Sequence, residues 1–254
     1  MLYKFVCLLL LWGMIVFTVM QGNELVWGIS ACISILSMHF ISKWLKIGGF
    51  SKIGLPFNRG WFGYLMSGCL IGIIFQVIRF LLMYSTGAYE IRFISQDWGS
   101  LIISTMILLV STAYVGFAEE IVFRGYVINM LPSYRSKLTV IISSLLFTLA
   151  HMIDGNFELS RISFLFLMGL FFAICYVLTR SIWFVAGIHW FWDFTWFYLG
   201  ADGGSSSSKI VDVTINPHMH SYYEWFDVLL VICLLLLLAL VQKTAIMKRS
   251  GIPM

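Results

Sequence analysis

The sequence predicts an all-α, polytopic membrane protein with about eight transmembrane helices, and three observations lead to this fold class. Hydrophobic residues make up 60% of the 254 residues and charged residues only 11%, which leaves too little polar surface to cover a soluble domain. The mean hydropathy is +0.93. Apolar stretches recur along the whole chain with short polar breaks, and each approaches the length of about 20 residues that crosses the hydrocarbon core.

The candidate spans cover residues 2–20, 26–45, 61–84, 101–123, 138–152, 162–179, 181–199 and 225–241. The first has the hydrophobic length of a signal peptide, but no small-residue cleavage site follows it, so we expect it to remain as the first helix. We interpret residues 1–254 as one integral membrane domain. It contains a motif-bearing core at about 99–199 and a flexible outer loop at about 200–224, which opens with the Gly/Ser-rich run GADGGSSSSK.

The distribution of basic residues predicts the orientation, because Lys and Arg of short loops favour the cytoplasmic side. With the N-terminus inside, no acidic residue falls in a cytoplasmic loop. The basic residues on the inner side are then Lys4, Lys43, Lys46, Lys52, Arg59, Arg135, Lys137, Arg180, Lys243, Lys248 and Arg249. We therefore expect both termini in the cytoplasm. The absence of a recognisable targeting segment or soluble domain favours a multi-pass protein of a bacterial plasma membrane, with the endoplasmic reticulum as the alternative location.

The net charge of +4 does not indicate a nucleic-acid-binding protein, because the basic residues are spread over several inner segments and form no aromatic-interleaved stripe. Membrane lipid with anionic headgroups is their expected partner. The five cysteines lie in predicted helices without CxxC spacing. The sequence therefore indicates neither a disulfide framework nor a thiolate metal site.

Charged residues inside the fourth candidate helix are the strongest functional signal. Glu119, Glu120 and Arg124 lie in the stretch TAYVGFAEEIVFRGYV. A charged residue at bilayer depth costs about 2.5–3.5 kcal/mol on insertion scales, so a functional site is the default interpretation. Glu120 and Arg124 are four residues apart and are expected to form an ion pair on one helix face. Glu119 then points about 100° away, toward a catalytic cavity in the helix bundle.

Two later helices add polar residues at a similar depth. His151 ends the stretch FTLAH, and His189 and Asp193 lie four residues apart in HWFWD. Two histidines and a glutamate are the ligand set of a catalytic zinc site, so Glu119, His151 and His189 are candidate zinc ligands. The same side chains could work without metal, with Glu119 and His151 activating a water and His189 stabilising the oxyanion.

The three motifs EExxxR, FxxxH and HxxxN/D, in this order, resemble those of the CPBP family, which comprises CAAX prenyl proteases and bacteriocin-processing or self-immunity proteins. The resemblance implies an intramembrane endopeptidase that hydrolyses a peptide bond of a membrane-associated peptide or protein. The candidate catalytic residues are Glu119, Glu120, Arg124, His151, His189 and Asp193. The resemblance to the type II CAAX prenyl protease implies that Glu119 is the catalytic acid/base and His151 its partner on the water. It further implies that His189 and Asp193 form the oxyanion side, and that Glu120 and Arg124 support the site.

Asp193 departs from the prenyl proteases, which have an asparagine at this position. An ionised carboxylate cannot donate a hydrogen bond to an oxyanion as an amide can. Three roles stay open for Asp193: a protonated acid, a residue that orients His189, or a metal ligand.

Two other functions fit parts of the sequence. A bacteriocin self-immunity or scaffold protein of the same fold would bind a partner without catalysis, and a proton-coupled transporter could use the buried titratable groups. The sequence leaves open the substrate, which could be a prenylated tail, a bacteriocin leader, a pheromone or another membrane peptide. It also leaves open the organism and the oligomeric state.

Overall fold

Eight α-helices run through the chain in the computed structural model, which describes residues 2–93, 97–131, 136–199 and 211–250. Their bounds are α1 Leu2–Val19, α2 Glu24–Trp44, α3 Trp61–Ser85, α4 Trp98–Glu120, α5 Lys137–Ala150, α6 Leu159–Thr179, α7 Ile182–Tyr198 and α8 His220–Ser250. A π-helical segment, Ile121–Ile128, continues α4, and 3₁₀ turns occupy His151–Asp154 and Pro217–Met219. Each predicted span overlaps one helix, so the predicted all-α polytopic fold is confirmed.

Within the described ranges, five helices are long and apolar enough to cross a membrane. They are α2, α3, α4 with its π-helical continuation, α6 and the Trp225–Lys243 part of α8. Large apolar side chains such as Leu10, Phe40, Leu81 and Leu236 lie exposed on the outside of the bundle. A surface of this kind is stable against lipid and unstable against water. The protein is a multi-pass membrane protein.

A two-stranded antiparallel sheet, which the sequence analysis did not predict, connects the loops at one end of the bundle. It pairs β1 (Tyr89–Phe93) with β2 (Val211–Ile215). β2 lies within the segment 200–224 that was interpreted as a flexible loop, whereas residues 200–210 of that loop lie outside the described part of the chain. In VDVTI, Val213 is buried and its two neighbours are exposed, which is the alternation of a half-buried strand.

A seam of glycines brings α7, which contains two predicted site residues, close to α3. A Cβ atom added at Gly68 would lie 2.2 Å from the carbonyl oxygen of Phe184. A Cβ atom at Gly187 would lie 2.6 Å from the carbonyl oxygen of Leu65. Gly68 and Gly72 form a GxxxG pair, the pattern that lets membrane helices approach backbone to backbone. The seam therefore sets the position of α7 in the bundle.

A buried ion pair joins α3 to α8 next to the sheet. The Nε and Nη2 groups of Arg79 donate to the two carboxylate oxygens of Asp227 at 2.5 and 3.0 Å, and Nη1 donates to the hydroxyl of Tyr89 at 2.7 Å. The guanidinium also lies 4.0 Å from the ring centroid of Trp196 in α7. Because both charges are paired and hydrogen-bonded, burial is tolerated. One arginine thus holds α3, α7, α8 and β1 together.

Asp97 caps the N-terminus of α4, the helix that leads to the two glutamates. Its carboxylate accepts hydrogen bonds from the backbone N–H of Ser100 at 2.9 Å and from the Ser100 hydroxyl at 3.2 Å. These bonds, the backbone one foremost, lower the pKa of Asp97 because they favour its charged form. The cap explains why the helix begins at Trp98.

Candidate active site

Glu119 and Glu120 end α4 and are both buried, with 5% and 0% exposure. As consecutive helical residues they point in different directions. The Oε1 atom of Glu120 accepts hydrogen bonds from Nη1 of Arg124 at 2.7 Å and from Nδ1 of His189 at 3.0 Å. The expected Glu120–Arg124 pair is present, and the same carboxylate also contacts α7. That second contact was not predicted from the sequence.

Arg124 is fully buried and is held on several sides. Its Nη2 group donates to the carbonyl oxygen of Gly169 in α6 at 3.2 Å. The guanidinium carbon lies 4.5 Å from the ring centroid of Phe147 and 5.1 Å from that of Phe172. Aromatic faces attract a desolvated cation, so the two rings add to the ion pair with Glu120. Arg124 therefore connects the end of α4 to α5 and α6.

The π-helical segment begins directly after Glu120, and the side chains of Ile121–Ile128 are all buried. π-Helical turns are rare and occur often at functional sites. The hydroxyl of Ser143 in α5 donates to the carbonyl oxygen of Phe123 in this segment at 2.8 Å. This bond anchors the irregular backbone next to the glutamates.

His151 follows the last residue of α5 and faces Glu119. Its Nδ1 atom lies 2.8 Å from the carbonyl oxygen of Phe147. A carbonyl oxygen only accepts, so Nδ1 is assigned the proton, and Nε2 of the neutral ring is an acceptor. Nε2 lies 3.6 Å from Oε2 of Glu119, which is too far for a direct hydrogen bond.

Oε2 of Glu119 is buried and has no hydrogen-bond partner among the described residues. Two acceptor atoms, this oxygen and Nε2 of His151, thus face each other across 3.6 Å. A water molecule in the cavity beside this pair could donate one hydrogen bond to each atom, which neither side chain can do for the other. The arrangement therefore suits the binding of a water whose two protons point at a carboxylate and an imidazole.

His189 completes the group from α7. Its Nδ1 faces Glu120, as described, while Nε2 lies 3.9 Å from Oε2 of Glu119 and 3.5 Å from Oδ2 of Asp193. The ring of Phe172 stacks on the imidazole with centroids 5.0 Å apart and an interplanar angle of 18°. Stacking and the Glu120 hydrogen bond together set the orientation of the His189 ring.

Two adjoining cavities meet at Asp193. The smaller, about 200 Å³, is lined by the predicted site residues Glu119, His151, His189 and Asp193 together with apolar side chains. The larger, about 550 Å³, shares four lining residues with it: Val115, Phe164, Trp192 and Asp193. The candidate site therefore continues into a larger, mostly apolar space.

The side chains as they stand do not form a zinc site. Among the residues that the structure describes, no three His, Cys, Asp or Glu side chains are close enough together to hold a metal ion. The separations of 3.6 and 3.9 Å from Glu119 Oε2 to the two Nε2 atoms exceed the roughly 3.4 Å expected between ligand atoms of a tetrahedral zinc site. Zinc binding stays a prediction that only a metal measurement can test.

All six predicted site residues come together, from α4, its π-helical continuation, the end of α5 and α7. Sequence reasoning missed Gly169 and Phe172, which hold Arg124 and His189 from α6. A glycine and a phenylalanine in an apolar helix differ in no way from residues that only pack. The sequence therefore contained no signal for their contribution.

One family model matches the part of the chain that contains these residues. Residues 100–195 match the family model described as type II CAAX prenyl endopeptidase Rce1-like. The match begins within α4 and ends two residues after Asp193, so it contains all six predicted site residues. No curated protein and no solved structure matches the chain significantly.

Proposed function

We propose that this chain, which belongs over residues 100–195 to the Rce1-like family of type II CAAX prenyl endopeptidases, is an intramembrane endopeptidase. The observation that carries the proposal is the unpartnered, buried Oε2 atom of Glu119, which faces Nε2 of His151 across a cavity. This oxygen makes no hydrogen bond among the described residues, and its nearest charged or titratable neighbours are the two histidines at 3.6 and 3.9 Å. Its chemistry is available for a water and a substrate.

In the proposed reaction, Glu119 removes a proton from the water as the water oxygen attacks the carbonyl carbon of a peptide bond. General-base catalysis of this kind contributes about 10²–10⁴-fold to rate. His151 accepts the second hydrogen bond of the water and orients its lone pair. The proton on Glu119 then passes to the leaving nitrogen, the C–N bond breaks, and the new carboxyl group loses its proton to solvent.

His189 is proposed to stabilise the oxyanion of the tetrahedral intermediate. With both nitrogens protonated, Nε2–H can donate to the oxyanion, while Glu120 at Nδ1 stabilises the positive ring. Glu120 and Arg124 act as positioning residues, because they contact His189 and the surrounding helices rather than the cavity. These proposed roles are the ones that the sequence motifs implied.

The substrate class we propose is a membrane-associated peptide or protein, which reaches the site through the larger apolar cavity. With both termini in the cytoplasm, as the basic residues predict, the larger cavity would lie toward the outer side of a bacterial plasma membrane. Lipid and substrate are the proposed partners, and nucleic acid is not.

Zinc is proposed as an optional activator of the same water, because two histidines and a glutamate have the right donor chemistry. When bound, zinc would lower the pKa of the water to about 7. Elemental analysis after dialysis against a weak chelator tests this in wild type, Glu119→Ala and His189→Ala. Near-stoichiometric zinc that is lost from both variants would support a metalloprotease. Metal-free folded wild type would favour the metal-free mechanism of Glu119 with His151 or the inactive scaffold, and the cleavage assay separates these two.

Cleavage of a synthetic peptide library in nanodiscs, followed by mass spectrometry, tests the endopeptidase. We expect products from wild type, and at least a 100-fold loss for Glu119→Gln, because the base is removed. Glu158→Gln is the matched control, since Glu158 is exposed at the start of α6 and makes no side-chain cap. Equal cleavage by wild type and Glu119→Gln would refute the proposal, and absence of any wild-type product would favour the scaffold function.

A further inference from the structure

Asp193 is the charged residue at the junction of the two cavities. It lines both of them, and its side chain is 24% exposed, whereas that of Glu119 is only 6% exposed. A group that has entered the larger cavity therefore meets Asp193 before it meets the other carboxylates. Among the residues that the structure describes, no other charged side chain lines the larger cavity.

The charges around the smaller cavity do not balance. Glu119, Glu120 and Asp193 supply three carboxylates, and Arg124 supplies one permanent cation. Even with His189 protonated, three negative groups face two positive ones. An uncompensated charge in a low-dielectric interior is costly, so the site is electrostatically suited to a further cation. The unpartnered Oε2 of Glu119, at 5% residue exposure, points to the same need for a ligand.

The walls around Asp193 have the chemistry that binds an organic cation. The larger cavity is lined by the aromatic side chains of Trp27, Phe164, Trp192, Trp196 and Phe197. Aromatic faces attract ammonium and guanidinium groups, and apolar walls pack against the methylene stems of lysine and arginine. The guanidinium of Arg79 already lies over Trp196, and Phe75 stacks on Trp192 with centroids 4.7 Å apart. Trp27, Phe164 and Phe197 are the other aromatic side chains of the lining.

We infer that Asp193 selects peptide substrates that have a lysine or arginine next to the bond that is cleaved. The inference rests on the proposed endopeptidase function and names its substrate class: an apolar peptide segment interrupted by one basic side chain. The carboxylate pairs with the basic group at the cavity junction, and the apolar flanks occupy the aromatic walls. The peptide bond beside the basic residue then lies within reach of Glu119.

Binding can be measured without catalysis, which separates this inference from the proposed function. The His151→Gln variant, which keeps all three carboxylates and lacks the acceptor that orients the water, is titrated in phosphatidylcholine nanodiscs into two fluorescent, N-acetylated, C-amidated apolar peptides that differ only by a central Lys or Gln. Anisotropy gives each Kd, and empty nanodiscs correct for lipid partitioning. We expect the Lys peptide to bind about tenfold more tightly, since a hydrogen bond to a charged group is worth about that much.

Two further variants are compared in the same background. Asp193→Asn should reduce the Lys preference to within about twofold, whereas Glu158→Gln, which removes an exposed acid near the start of α6, should leave it unchanged. Equal binding of the two peptides, or a preference that survives Asp193→Asn, would overturn the inference. If the preference depends on Asp193 and wild type cleaves neither peptide, the binding of a basic side chain by Asp193 stands, whereas the endopeptidase function fails.

Discussion

Replacing each of the two adjacent glutamates by glutamine should separate chemistry from stability. Oε2 of Glu119 has no hydrogen-bond partner among the described residues, so Glu119→Gln removes a base without breaking a contact of that atom. Glu120→Gln instead removes the counter-ion of Arg124, which is fully buried, and weakens the hydrogen bond from His189. We expect cleavage to be lost in the first variant and the fold to be destabilised in the second.

The magnitudes follow from the burial of the pair. Breaking a buried ion pair by removing one partner costs about 3–5 kcal/mol. In a chain of this size, 1 kcal/mol corresponds to about 2–4 °C in Tm, so Glu120→Gln should lower Tm by roughly 6–20 °C. Glu119→Gln should leave Tm within about 2 °C of wild type while lowering cleavage by about 10²–10⁴-fold.

Tryptophan fluorescence on heating gives Tm for both variants in one detergent, and cleavage is measured well below the lower Tm. Glu158→Gln, an exposed acid, controls for loss of a carboxylate and should change neither quantity. A Tm of Glu120→Gln within 2 °C of that of Glu119→Gln would refute the view that Glu120 is the structural partner of Arg124. An equally large loss of Tm in Glu119→Gln would assign Glu119 a structural role instead.

Three other features give testable outcomes. Gly68→Ala should destabilise the protein by about 1–3 kcal/mol, because its new Cβ would meet the backbone of α7. Gly63→Ala, with open space at that position, is the control and should be neutral or slightly stabilising. Equal Tm values for the two variants would contradict the close approach of α3 and α7. Asp227→Asn should lower the free energy of unfolding by about 3 kcal/mol, because Arg79 is then buried without its counter-ion. The double variant Arg79→Met with Asp227→Leu should recover most of this loss, since both charges then leave the interior. A double variant as unstable as the single one would contradict this account. The pKa of Asp97 is lowered in the folded protein, so its cap stabilises the protein above about pH 4 and is lost as the pH falls through the pKa of the folded state. The Tm of wild type should therefore fall relative to that of Asp97→Asn between pH 7 and pH 3. A Tm difference that does not change with pH would contradict the cap.

The helices, and the six candidate site residues that cluster in the structure, could be predicted from the sequence because each leaves a local pattern. A stretch of about 20 apolar residues predicts a transmembrane helix. A carboxylate at bilayer depth indicates a functional site, because its insertion into the membrane is energetically costly. The ion pair of Arg79 with Asp227 joins residues 148 positions apart, and no local pattern links them. Gly169 and Phe172 act through contacts that only packing creates. The strand VDVTI did leave an alternating pattern, but the Gly/Ser-rich run before it favoured a loop.

Glu119 faces the cavity, whereas Glu120 pairs with Arg124, and this difference affects how sequences with the same EExxxR motif can be interpreted. Glu120, Arg124 and the rings around them assemble the helices without any help from Glu119. A descendant of this protein could therefore lose Glu119 in a single step and keep its shape, becoming a binding protein on an enzyme's scaffold. Under the proposed mechanism, the identity of residue 119 is a better marker of peptidase chemistry than the Glu120–Arg124 pair, because that pair also stabilises the helix bundle.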